Sequence, residues 1–206
     1  MSGRVAVSVL ALVAGLGGEA AATPLDVIVV DQDGRAIPDA VVLLRGDAQS
    51  PAPAPATAVI DQIDKRFVPA VSAVPVGTSM SFPNRDDIKH HVYSFSPPKV
   101  FELKLYHGVP AAPVVFDRPG LVTLGCNIHD GMVAYLYVVD AARFALSDAR
   151  GAVHFPNAAA IHTVEAWHYQ MDGGPVREVL PPGRPAGALT LVLPLLAAAV
   201  LPPPLE

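Results

Sequence analysis

Pro119-Gly120-Leu121-Val122-Thr123-Leu124-Gly125-Cys126-Asn127-Ile128-His129-Asp130-Gly131-Met132 is the stretch on which the reading of this chain turns. Leu121 to Gly125 has the leucine and β-branched character of a short strand, and Val133 to Val138 supplies another directly after Met132. The turn between them carries Cys126, the only cysteine of the chain, followed at three-residue steps by His129 and Met132. Thiolate, imidazole and thioether together form a soft donor set that suits copper. A loop this short cannot surround an ion, so one more donor has to come from a different strand.

Asp87-Ile88-Lys89-His90-His91-Val92 offers that donor at the head of a second candidate strand, where His91 to Phe95 alternates in the manner of a sandwich strand with one apolar, partly aromatic face. Neighbouring strand residues point to opposite faces, so either His90 or His91 reaches the site, not both. Two imidazoles, one thiolate and a weak axial thioether are the ligands of a mononuclear blue-copper site. Such a fixed set suits neither copper oxidation state fully, changes little on electron transfer, and so implies fast one-electron exchange. Taken singly, Cys126 reads as a buried inert thiol, Met132 as a core residue at a strand start and Asp130 as a solvated turn residue. His107, His154, His162 and His168 have no tight spacing and read as surface or half-buried groups. Arg85, Asp86 and Asp87 read as a polar loop whose charges steer a partner.

The surrounding composition agrees with many short strands: 22 Pro, 16 Gly and 16% charged residues among 206. A net charge of −5 without a basic patch argues against nucleic acid as a partner. Arg4, the apolar run Val5 to Leu16 and Ala20-Ala21-Ala22 read as an export signal over 1–22, which places the mature chain, beginning at Thr23, in the periplasm. A lone cysteine in an exported protein forms no internal disulfide and is at risk if exposed, so Cys126 is expected to be buried or metal-bound. Ala188 to Leu201 falls short of the roughly 20 residues needed to cross a bilayer and is interrupted by Pro194. It reads as a strand over Leu189 to Leu193 and a loose tail over 197–206, with no membrane span.

Leu25 to Val30 and Val41 to Leu44, separated by the turn signals Asp31-Gln32-Asp33-Gly34 and Pro38-Asp39, predict a hairpin-like pair. Ser50 to Ala56, with alternating prolines, predicts an extended linker. Short strands are then expected around Phe67, Val71 to Val74, Ser79 to Phe82 and Val114 to Phe116, with a turn at Pro75-Val76-Gly77. Beyond Asp140 they are expected at Phe144 to Leu146, Val153 to Phe155 and Thr163 to Trp167.

The order Phe82-Pro83-Asn84, His90-x-Val92 and Pro119 to Met132 resembles the cupredoxin family, with the C-x-x-H-x-x-M loop most similar to amicyanin and the layout to plastocyanin. Residues around His90 to Phe95 and Gly125 to Asp130 resemble a periplasmic group labelled methylamine-utilisation-like. The resemblance implies an all-β Greek-key sandwich and one type 1 copper on His90, Cys126, His129 and Met132. It further implies an electron port at His129, protein redox partners and no enzymatic activity. Many cupredoxins place an Asn after the first His to tie the ligand loops together; His91 stands there, leaving Asn84 and Asn127 as replacements. Val29 to Gly34, Ala40 to Leu43 and Leu146 to Gly151 resemble transthyretin-like Ig modules, which implies a sandwich built from 23–57 and 141–196 with a copper domain, 58–140, inserted between them. A rival function is copper handling by a chaperone, scavenger or sensor that passes no electrons.

Overall fold

The computed structural model describes residues 23–46, 54, 56–181 and 187–196. The candidate export signal, most of the proline-rich stretch and the tail from 197 lie outside the described residues. Every regular element described is a β-strand, and among the described residues no helix is long and apolar enough to cross a membrane.

The quoted stretch folds as an antiparallel pair, β11 (Gly120–Gly125) and β12 (Val133–Val139), in a register that places Gly125 opposite Val133 and closes the 126–132 loop at one end. Period-two alternation gives β12 two apolar faces. Ala134, Leu136 and Val138 enter one core, whereas Tyr135, Tyr137 and Val139 pack against another. On one side β12 pairs in parallel with β6 (Val71–Pro75). Beyond β11 lie β8 (His90–Ser94) and the edge strand β9 (Phe101–Tyr106), completing a five-stranded sheet in the order β6-β12-β11-β8-β9.

A second sheet, β10-β7-β3, closes the sandwich with β3 (Thr57–Val59), β7 (Thr78–Ser81) and β10 (Val114–Phe116). The expected turn at Pro75-Val76-Gly77 carries the chain across from one sheet to the other. Gly77, at φ 88°, adopts the left-handed conformation the crossing demands, and its N–H donates to Phe116 O at 2.7 Å. Between the sheets, Phe82 stacks on Phe101 at 5.8 Å and Phe101 meets Phe116 edge-on at 5.9 Å. A small hairpin of β4 (Asp61–Ile63) and β5 (Arg66–Val68) turns through Asp64 and Lys65, both left-handed at φ 52° and 58°.

The flanking sequence forms two further sheets. One is β14-β1-β17, from β1 (Leu25–Val30), β14 (Ala152–Phe155) and β17 (Gly187–Val192). The other is β13-β2-β15-β16, from β2 (Val41–Gly46), β13 (Arg143–Leu146), β15 (Ile161–Trp167) and β16 (Val176–Val179). The hairpin expected from β1 and β2 does not form, because each strand finds its partners far along the chain. β1 pairs antiparallel with β14 and parallel with β17, and β2 lies between β13 and β15. Val41, Val42, Leu43 and Leu44 are all buried, as expected of a strand covered on both faces. The outward face of β12 contributes to that cover: Tyr137 and Tyr135 lie 5.4 and 6.3 Å from the Trp167 ring of β15. Next to them Glu165, 1% exposed, is held by Arg45 at 2.9 Å and Arg177 at 2.6 Å, and Arg45 also reaches Asp140 at 3.0 Å.

Candidate metal centre

Because β8 runs antiparallel to β11 with Tyr93 opposite Gly125, the start of β8 lies at the sheet end from which the 126–132 loop projects. That register brings residues some 35 positions apart to one place. Cys126, buried at 4% exposure, follows directly after Gly125, and a Cβ on Gly125 would stand 2.8 Å from Cζ of Tyr93. Glycine is therefore favoured here by the close approach of the tyrosine ring rather than by its own φ. The loop is pinned by Cys126 N–H to Met132 O at 3.2 Å and Met132 N–H to His129 O at 2.9 Å. His129 consequently folds back over the sulfur, with Sγ and Nδ1 3.8 Å apart.

His90 is fully buried and its ring lies 5.0 Å from that of His129. Donor atoms of His90, Cys126 and His129 all lie within 4.8 Å of one another. Met132, 1% exposed, packs in the same core as Cys126. His91 faces away, as strand alternation requires. Its Nε2 pairs with Glu102 Oε1 at 2.8 Å, and its ring meets Tyr93 at 5.4 Å. The aromatic face expected on this strand is thus turned outward, with Tyr93 half-buried and Phe95 78% exposed, while Val92 enters the core.

The loop ahead of β8 is more ordered than a solvated polar stretch. Asn84, buried, accepts the Asp86 N–H at 3.0 Å and donates to Ile88 O at 2.8 Å and Tyr106 O at 2.9 Å. It stiffens the approach to His90 and anchors it to β9 without reaching the 126–132 loop, and Asn127 is exposed. Asp86 bonds His90 Nε2 at 2.6 Å. Sequence reasoning missed this contact, although the four-residue spacing of Asp86 and His90 was the available signal.

Electrostatics at the centre favour a neutral His129 ring and an ionised Asp86. Burial, the nearby His90 ring and Lys65 hold His129 below the ordinary imidazole value, which favours the neutral ring with a free lone pair. Burial tends to raise Asp86, but the Lys65 N–H, the His90 ring and the Asp64 N–H outweigh it and hold the carboxyl below its usual range. Tyr106 is pushed up to about 12 by burial, with Cys126 nearby adding to the rise; its hydroxyl donates to Phe82 O.

Nδ1 of His90 is buried and has no hydrogen-bond partner among the described residues, an arrangement that carries a desolvation cost unless something coordinates it. Nδ1 of His91 is likewise unpartnered, but His91 stands outside the three-residue group. Two imidazoles and a thiol with an open nitrogen among them fit a copper ion. Fold and donor set together define a β-sandwich protein with a candidate mononuclear metal centre.

The solved structures that this chain resembles are cupredoxins. A purple cupredoxin from Nitrosopumilus maritimus aligns at 22% identity over 41% of this chain and 99% of that one, with a TM-score of 0.35. A reduced amicyanin variant aligns at 21% identity over 40% of this chain and 82% of that one, with a TM-score of 0.36. The Cu-containing nitrite reductase from Thermus scotoductus SA-01 aligns at 23% identity over 47% of this chain, with a TM-score of 0.37, and the match spans only 25% of the reductase. No protein-family model matches the sequence, and no curated protein matches it.

Proposed function

We propose that this protein is an exported periplasmic blue-copper carrier of single electrons, holding one type 1 copper on His90, Cys126, His129 and Met132, and that it is not an enzyme. The observation that carries this reading is the meeting of His90, Cys126 and His129 donor atoms within 4.8 Å, drawn from two separate segments. Copper, when bound, supplies the exchange between its two oxidation states. The chain's own part is to hold the donors rigidly and to exclude water: His90, Cys126 and Met132 are buried in a packed sandwich. His129 is the least buried of the four, and the exposed Ile128 beside it offers an apolar contact to a partner protein. The polypeptide is read as two units, a copper domain over 58–140 and an Ig or transthyretin-like sandwich from 23–57 and 141–196. Supporting this division, among the described residues no sheet mixes β1, β2 or β13 to β17 with the strands between them.

The test is titration of metal-free protein with Cu(II), followed by visible and electron paramagnetic spectra and voltammetry. One equivalent should give an intense thiolate-to-copper absorption and reversible one-electron reduction. Binding of Cu(I) alone, with release to an acceptor, would instead identify a copper-handling protein.

A further inference from the structure

Asp86 belongs to the copper end in a way its setting among charged residues conceals. Its side chain is only 14% exposed and receives three donors: the Asp64 N–H at 2.7 Å, the Lys65 N–H at 2.9 Å and His90 Nε2 at 2.6 Å. Two of these come from the tip of the β4–β5 hairpin, where Asp64 and Lys65 are both left-handed without being glycine. Successive N–H groups presented by a tight turn form an anion-binding concavity, and a left-handed non-glycine residue is uncommon enough to need support from its surroundings. The hairpin tip is thus shaped around the Asp86 carboxylate.

We propose that Asp86 is a positioning residue for the metal centre, fixing His90 in the tautomer protonated at Nε2 and thereby presenting Nδ1 to the ion and favouring its oxidised state. The inference rests on the copper reading above. A carboxylate that already accepts two backbone N–H groups also accepts the third donor, which places the His90 proton at Nε2 and leaves the lone pair at Nδ1. Nδ1 is the nitrogen found buried without a partner. Hydrogen bonding of a ligating imidazole to a carboxylate raises its basicity, which strengthens the bond to the more highly charged Cu(II) more than the bond to Cu(I).

The neighbouring residue supplies an internal control. His91 also bonds a carboxylate through Nε2, but Glu102 is 56% exposed and its histidine lies outside the donor group.

The experiment compares the wild type with Asp86→Asn and Glu102→Gln. Asp86→Asn should weaken Cu(II) binding by roughly 10- to 100-fold, the usual effect of losing such a partner, while Cu(I) affinity falls less. Each tenfold difference between the two states raises the reduction potential by about 59 mV. Glu102→Gln should move neither. In metal-free wild type, nitrogen NMR should find the His90 proton at Nε2. A proton at Nδ1, or an Asp86→Asn protein whose affinity and potential match those of Glu102→Gln, overturns the proposal. Should Asp86→Asn fail to fold, the wild-type tautomer decides. If wild type forms no blue centre, the carrier reading fails on its own, and the same affinity comparison with Co(II) decides the role of Asp86; failure to bind Co(II) overturns it as well.

Discussion

Buried polar groups are handled in opposite ways at the two ends of this molecule. In the flanking sandwich Glu165 is answered by Arg45 and Arg177, so a charge taken out of water meets its counter-charges. At the other end two imidazoles and a thiol face one another at 4.8 Å or less, with Nδ1 of His90 unpartnered. In the flank the buried carboxylate has its counter-charges in place, whereas the sandwich end gathers three donor atoms that could hold a metal ion. The difference marks the sandwich end, not the flank, as the place where this chain could hold a metal ion.

The largest effect expected is that of Cys126→Ser. It should abolish the intense visible absorption of the copper-loaded protein while leaving unfolding of the flank unchanged. Retention of the band would remove the contrast between the two ends.

Next in size is a pH effect confined to the flank. Burial pushes His168 down to about 4, against about 6.5 in the unfolded chain. Because the unfolded state takes up the proton first, stability is whole above pH 6.5 and declines as pH falls from there toward 4. The loss is at most about 3 kcal/mol. His168→Asn, which keeps an acceptor for the Gln170 N–H that now meets Nδ1 at 3.3 Å, should flatten this slope in urea unfolding measured across that range.

Glu165→Gln removes the buried anion that the two arginines share and leaves Arg45 with Asp140. It should cost about 2 kcal/mol, below the figure for a wholly enclosed pair because Arg45 and Arg177 are 35% and 61% exposed. The copper spectrum should not change; a shift would show the two ends to be coupled.

The smallest effect is expected from Gly125→Ala. The added methyl would stand 2.8 Å from the Tyr93 ring and should cost about 1 kcal/mol as the ring swings away. Pairing it with Tyr93→Ala should recover most of that loss, and recovery of none would mean that the backbone, not the ring, resists the methyl.

Elements whose signal is local were readable from residues alone. β11, the 126–132 loop and β12 follow from one alternating stretch with turn chemistry between its halves. β9 carries the same kind of signal, since Phe101-Glu102-Leu103-Lys104-Leu105-Tyr106 alternates along its length, although it is not among the strands expected above. A strand was expected around Phe67 in β5, but the turn of the β4–β5 hairpin gave no comparable signal, because it uses Asp64 and Lys65 where glycine or asparagine would announce a left-handed pair. The pairing of β1 with β14 and β17 was beyond reach for another reason: strand partners more than a hundred residues apart leave no mark on either strand's own pattern.

At the candidate metal end, the sequence alone offered the donor types and the order Cys126, His129, Met132, because these depend on spacing within one loop; the lone cysteine was expected to be buried or metal-bound, and it is buried. It left His90 and His91 as alternatives. Tertiary structure decided between them for proximity: the register of β8 against β11 turns His90 toward Cys126 and His91 toward Glu102. It also decided what holds His90, since Asp86 is gripped by a hairpin tip more than twenty residues earlier in the chain. Period-two alternation says only that neighbours face opposite ways. Which way is inward is set by the sheets that pack on either side.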